Sequence, residues 1–151
     1  MAKSQSETTG PRELASAEAL VEVNWSGWNV RLNGGGWLGF VGSESQEDLK
    51  HITIDQAKAV GLLNRLLEMG FFYMAENYPS CSESLSINRN GTLHPTRTQV
   101  LDGGRITIQF RVGLKEHKVV MEKPITTAPM ELVVWFRDFE KLVNTGFWGA
   151  E

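Results

Sequence analysis

The side chains of this 151-residue sequence best suited to nucleophilic or metal chemistry are one cysteine, Cys81, and three histidines, His51, His94 and His117. A histidine beside a thiol could act as the base that generates a thiolate nucleophile. Glu83 lies two residues from Cys81 and disfavours the thiolate through its negative charge. We therefore expect Cys81 to be an inert thiol in a loop.

The predicted strands separate His94 from His117. They lie two strands apart in the expected sheet, roughly 10 Å at about 4.8 Å per strand. A shared metal ion would need ligand bonds of about 2.1 Å. We expect half-buried imidazoles at the sheet margin, no metal site and no catalytic residue. A small-ligand-binding protein or enzyme that uses His94 and His117 is the least favoured alternative.

Motifs for cofactor and acyl-transfer chemistry are missing from the sequence. Asn33-Gly34-Gly35-Gly36 is rich in glycine, but no lysine follows it and the next expected element is a strand, not a helix. Gly-x-Ser-x-Gly does not occur, and a single cysteine excludes an internal disulfide and a four-cysteine zinc site. The sequence predicts no cofactor, and residues 44–48 are expected to form a solvated acidic loop.

Five tryptophans are the least ordinary feature of the composition. Aromatic side chains with a polar edge are frequent at binding surfaces. Pairing Leu32 with Trp37 across the glycine turn predicts a core face made of Trp28, Val30, Leu32, Trp37 and Val41. Trp25, Leu38 and Phe40 then share the opposite face. We predict that these three form an exposed contact site for another protein, with burial by the N-terminal tail or by a dimer mate as the alternative.

The sequence pattern of the first half of the chain predicts strands followed by a helix. Val21 and Val23 alternate with polar residues, and the glycine turn joins two further strands. Thr53 and Gln56 fit a capping box that begins a helix, and Gly70 is placed to end it. The apolar stripe of that helix is predicted to be Ala59, Val60, Leu63, Leu66 and Leu67.

The second half reads as four strands and a final helix. Asn90-Gly91 is a strong hairpin signal between strands at residues 85–89 and 92–100. Residues 105–112 and 117–122 alternate in the same way and should extend the hairpin into an antiparallel meander. The last helix is expected to begin near Thr127 and to end at Gly146. Its predicted apolar stripe is Leu132, Trp135, Phe136, Phe139, Leu142 and Val143.

The order Gly70-Phe71-Phe72, paired antiparallel strands and Ala128-Pro129-Met130-Glu131-Leu132 resembles a family of short bacterial domains of unknown function. The resemblance covers about half the chain. It implies a helix, paired aromatic residues, antiparallel strands and a final helix, and it implies no catalytic residue. Members of that family often follow lipoprotein signals, and no such signal is evident here.

These elements predict an α+β fold: an antiparallel sheet of about six strands with two amphipathic helices packed on one face. Residues 1–17 are expected to be a mobile polar tail, and residues 18–151 a single domain. Both predicted helices are followed by a glycine and two aromatic residues, at Gly70 and Gly146. A strands–helix duplication relating 18–73 to 84–149 is therefore an open alternative to two unrelated helix caps.

The net charge and the hydropathy of the chain limit the classes of function and partner that we expect. Lys and Arg number 15 against 18 Asp and Glu, a net charge of −3, which disfavours nucleic acid as a partner. No apolar run approaches the roughly 20 residues that span a bilayer, and no secretory signal is visible, so a cytoplasmic location is expected. We predict a non-catalytic protein-binding or adaptor domain. The alternative is a small acidic homodimeric chaperone resembling those of bacterial secretion systems, so the expected partners are another protein or a second copy.

Overall fold

A computed structural model describes residues 13–41, 50–99 and 103–149. Its main element is a seven-stranded sheet in which all neighbouring strands but one pair run antiparallel. The α+β class and the largely antiparallel sheet are confirmed, although the sheet is larger than the six strands expected. Its strands are β1 (Ala19–Trp25), β2 (Trp28–Asn33), β3 (Trp37–Phe40), β4 (His51–Thr53), β5 (Asn77–Tyr78), β8 (Arg105–Val112) and β9 (Lys115–Glu122). They lie in the order β4-β3-β2-β1-β8-β9-β5, and the β5–β9 pair is the parallel one.

The hairpin of β6 (Cys81–Ile87) and β7 (Leu93–Gln99) forms a separate two-stranded sheet, which we call the arm. The predicted four-stranded meander is therefore wrong, because β8 pairs with β1 and not with β7. Val21 lies opposite Phe110 and Val23 opposite Ile108. The valines of β1 complete the apolar face of β8, which the largely polar β7 strand could not do.

The glycine hairpin joins β2 to β3 in a register one residue away from the predicted one. Leu32 lies opposite Leu38 and not opposite Trp37. The Asn33 side-chain oxygen accepts hydrogen bonds from the backbone amides of Gly35 and Trp37, at 2.9 and 3.2 Å, which lengthens the turn. A slip of one residue exchanges the two faces of a strand, so Leu38 enters the core and Trp37 moves to the other face.

The first helix, α1 (Gln56–Glu68), begins two residues later than the predicted capping box. Asp55 is the N-cap, and its carboxylate accepts a bond from the Lys58 amide at 3.3 Å. Gly70 follows the helix with a left-handed backbone, φ 78°, as expected. The side chains that α1 buries are Ala59, Leu62, Leu63 and Leu66. The predicted stripe is therefore wrong at Val60 and Leu67, which are exposed.

The second helix, α2 (Met130–Trp148), continues through Gly146 and is followed by Gly149 with φ 65°. The expected end at Gly146 is wrong because this glycine makes a close packing contact. A Cβ there would lie 2.6 Å from Cδ1 of Ile52. The side chains that α2 buries are Leu132, Val133, Trp135, Phe136, Phe139 and Val143.

A single core lies between one face of the sheet and the two helices. Each long strand of the main sheet contributes alternate residues to it, and Trp135 links the helices by donating its indole N–H to the Leu62 carbonyl at 2.9 Å. The opposite sheet face is polar and includes the Glu22–Arg31 salt bridge at 3.0 Å. Antiparallel sheets are commonly covered on one face only.

The predicted tail and the predicted acidic loop fall largely outside the described residues, which omit 1–12 and 42–49. Within the described part, Ser16–Glu18 forms a 3-10 turn, and its carbonyls accept bonds from the amides of Gly34 and Gly113. The predicted tail boundary at residue 17 thus falls inside a turn that is bonded to the sheet. The two helix endings also differ, since Gly70 follows α1 whereas Gly146 lies inside α2.

Candidate functional site

Two of the three predicted contact residues are buried. Trp25 is 5% exposed and Leu38 is fully buried, so the predicted exposure of this pair is wrong. The Trp25 ring packs edge-on against Phe136 and Phe139 of α2, with ring centroids 5.4 and 6.1 Å apart. The longer glycine turn turns Leu38 inward, and α2 covers Trp25.

The third predicted residue, Phe40, belongs to an aromatic cluster at one end of the helix-covered sheet face. Its ring centroid lies 5.1 Å from that of Trp28 and 4.8 Å from that of Phe147. Trp28 and Trp148 are in turn 5.4 Å apart, with their rings inclined at 61°. We call Trp28, Phe40, Phe147 and Trp148 the aromatic patch.

The aromatic patch is open to solvent through its tryptophans. Trp28 is 44% exposed and Trp148 is 51% exposed, whereas Phe40 is half-buried beneath them. Sequence reasoning placed Trp28 on the correct face but assumed that the core would cover it. Its position beside the β1–β2 turn was a signal that it lies at the end of the covered face, where α2 ends at Trp148. Two indoles provide a large apolar area with N–H donors at the edge.

A groove of about 690 Å³ lies between the two helices, beside β4. Its apolar lining is provided by Ile52, Ile54, Leu62 and Leu142. Its charged lining consists of three basic side chains and one carboxylate: Lys58, Arg65, Lys141 and Asp138. Arg65 and Asp138 are paired across the helices at 2.9 Å. Sequence reasoning missed this groove, because its two walls come from distant segments of the chain.

The histidines are separated by the fold. His94 is exposed on the arm, whereas His117 lies on β9, where its Nε2 is 2.8 Å from the Met74 carbonyl oxygen. His51 stacks on Trp37 at 5.5 Å. The prediction that His94 and His117 lie two strands apart in one sheet is wrong, since β7 and β8 belong to different sheets. Within residues 13–41, 50–99 and 103–149, no three His, Cys, Asp or Glu side chains are grouped to hold a metal ion.

Cys81 lies at the base of the arm and not in a loop. It is 8% exposed, and the Arg97 guanidinium is 3.3 Å from its sulfur. This hydrogen bond raises the pKa of Arg97 above its usual value, and the charge of Glu83 adds to the effect. Arg97 is a neighbour that sequence reasoning missed, because it comes from the opposite strand of the hairpin.

The arm extends away from the rest of the domain, which covers little of its surface. Every residue from 82 to 99 is exposed, including Leu85, Ile87 and Leu93 at 66, 78 and 58%. The register of the arm places these three side chains on one face and its serines and threonines on the other. At the base, the Cys81 amide donates to Oγ1 of Thr126 at 2.8 Å.

Comparisons with protein-family models, with curated proteins and with solved structures found no match. The resemblance to short bacterial domains therefore stays a prediction. Among the described residues, neither helix is long and apolar enough to cross a membrane.

Proposed function

We propose that this chain is a non-catalytic domain that binds another protein through the aromatic patch. The observation that carries the proposal is the contact between Trp28 and Trp148, each about half exposed. Tryptophan is among the residues that contribute most to the free energy of binding at protein interfaces. Phe40 and Phe147 support the two indoles from below, so the patch is held in shape before a partner arrives.

A photo-reactive amino acid placed at position 148 tests this proposal in the cells that make the protein. We expect a discrete covalent adduct with one partner, and we expect Trp28→Ser to abolish it. Position 73 is the matched control, because Tyr73 is 85% exposed but lies outside the patch. Equal adducts from both positions, or an adduct at 148 that Trp28→Ser leaves unchanged, would contradict the proposal.

The arm favours self-association as a second candidate function. Leu85, Ile87 and Leu93 present an apolar face that the described residues leave uncovered. An isolated two-stranded hairpin is marginally stable in water, and a second copy placed against this face would stabilise both arms. This arrangement corresponds to the homodimeric alternative that the sequence left open.

Sedimentation velocity separates the two candidates. If the arm joins two copies, the double variant Leu85→Ser/Ile87→Ser should convert a dimer into a monomer. Leu114→Ser is the control, since Leu114 is fully exposed in the turn between β8 and β9. A chain that is monomeric at high concentration excludes self-association and leaves binding by the aromatic patch unaffected.

A further inference from the structure

We infer that the groove between α1 and α2 binds an acidic amphipathic helix of the protein partner. The inference rests on the proposed function, because it assigns a chemistry to the partner that the aromatic patch would hold. It concerns a different surface, so the two can fail separately.

The groove walls have the pattern that an amphipathic helix requires. On α1, the residues facing the groove are Lys58, Gly61, Leu62 and Arg65, which share one side of a helix. On α2 they are Asp138, Lys141, Leu142, Thr145 and Gly146. Apolar side chains thus lie within the groove among flanking charges. An amphipathic helix laid between two helices is a recurring mode of protein recognition.

The charge of the groove specifies an acidic occupant. Arg65 is already paired with Asp138 at 2.9 Å. Lys58 and Lys141 are exposed, and within the described ranges neither has a salt bridge. The groove is therefore positive on a chain whose net charge is −3. Complementary charges across an interface favour the correct partner and speed its association.

Gly61 indicates that the occupant approaches the α1 backbone closely. A glycine inside a helix is less favourable than alanine by roughly 1 kcal/mol. No atom lies within 4 Å of the position that a Gly61 Cβ would take, so packing inside the domain does not require glycine there. Gly146, by contrast, is required by its contact with Ile52. A helix crossing at Gly61 would gain from the missing side chain.

The shape and position of the groove favour a helix over a small molecule. The groove is open to solvent, whereas small-molecule pockets bury most of the ligand surface. The lining includes Gly146, which directly precedes Phe147 and Trp148 of the aromatic patch. A partner helix lying in the groove would therefore continue onto the exposed indoles.

Two synthetic helices test the inference with the full chain. Both contain about 15 residues and the same stripe of leucines, flanked by glutamates in one and by lysines in the other. We expect the glutamate helix to bind, measured by fluorescence anisotropy, and its affinity to fall as salt is added. The lysine helix should not bind.

Charge-reversal variants of the groove lysines then test whether the glutamate helix binds in the groove. The double variant Lys58→Glu/Lys141→Glu should lower the affinity for the glutamate helix about tenfold, because two favourable charge pairs become repulsive. Lys118→Glu is the matched control, since Lys118 is exposed on the polar sheet face. All three lysines are exposed, so circular dichroism should show folded variants.

The inference would be overturned by no binding of the glutamate helix, by equal binding of the lysine helix, or by an affinity that the double reversal leaves unchanged. Binding of dodecanoate in place of the helix would assign the groove to a small amphipathic acid and would also overturn it. In each case, the Trp28-dependent adduct at position 148 would still decide the proposed function. Loss of that adduct with intact helix binding would instead overturn the aromatic patch alone.

Discussion

The tryptophans of this chain differ in what surrounds each indole. Trp135 is fully buried, donates its N–H to the Leu62 carbonyl and stacks on Phe139 at 5.2 Å. Trp148 is half exposed, and its ring contacts the rings of Trp28 and Phe40 in inclined orientations. The first indole joins the two helices, whereas the second presents surface to solvent. A conservative change should therefore have different effects at the two positions.

We expect Trp135→Phe to lower the free energy of unfolding by about 1–3 kcal/mol, because it removes a buried hydrogen bond and leaves a cavity. Trp148→Phe should change it by less than about 0.5 kcal/mol. Urea denaturation of both variants measures the difference. Equal losses would mean that Trp148 also stabilises the fold and is not reserved for a partner.

Each helix contains one glycine, and the two differ in how much space surrounds them. Gly61 in α1 faces open space, whereas Gly146 in α2 faces Ile52 at a distance that a Cβ could not tolerate. Helix propensity disfavours glycine at both positions. The fold explains the glycine of α2 but not that of α1.

We therefore expect Gly61→Ala to raise the free energy of unfolding by up to about 1 kcal/mol. Gly146→Ala should lower it by about 1–3 kcal/mol, because the new methyl group overlaps Ile52. Thermal or urea denaturation of the two single variants provides the comparison. A destabilised Gly61→Ala variant would show that α1 needs this glycine for the fold itself, which would weaken its link to a partner helix.

At the scale of the whole molecule, the pairing of β1 with β8 is the central contact of the main sheet. This pair joins the first and second halves of the chain at the centre of the sheet, and the buried residues of both strands belong to one core. Each half of the proposed duplication would leave one of these strands without its partner. The halves should therefore depend on one another for folding.

Cutting the chain into fragments 13–75 and 76–149 tests that dependence. We expect each fragment alone to lack cooperative unfolding, because β1 and β8 would expose their apolar faces. Mixing the fragments should restore the circular dichroism of the intact chain. A fragment that folded cooperatively by itself would instead support two independent duplicated units.

Local patterns allowed much of the fold to be predicted. The alternation of Ile106, Ile108 and Phe110 placed β8 correctly, and all three side chains are buried. The apolar stripes located both helices, and Asn90-Gly91 located the tip of the arm. These features follow from backbone periodicity and turn chemistry, which depend on neighbours in the sequence.

The candidate site could be predicted only in part. Phe40 lies in the aromatic patch, and its contact role stays a proposal, whereas Trp25 is buried under α2. Leu38 is buried because a run of three glycines is compatible with more than one hairpin register. The register is fixed by the bonds that the Gly35 and Trp37 amides donate to the Asn33 side-chain oxygen, and by the bond from the Ile54 amide to the Gly36 carbonyl at 2.8 Å. The last of these bonds comes from beyond the hairpin.

The sequence by itself determined the α+β class, the location of both helices and the strong alternation of β8, because each depends on a repeat along the chain. Only the tertiary structure decided which strand pairs with β8, which tryptophans stay exposed, and that Lys58 and Lys141 line one groove. Those features join residues far apart in the sequence. They are set by competition among surfaces for burial in the core, and local patterns carry no information about its outcome.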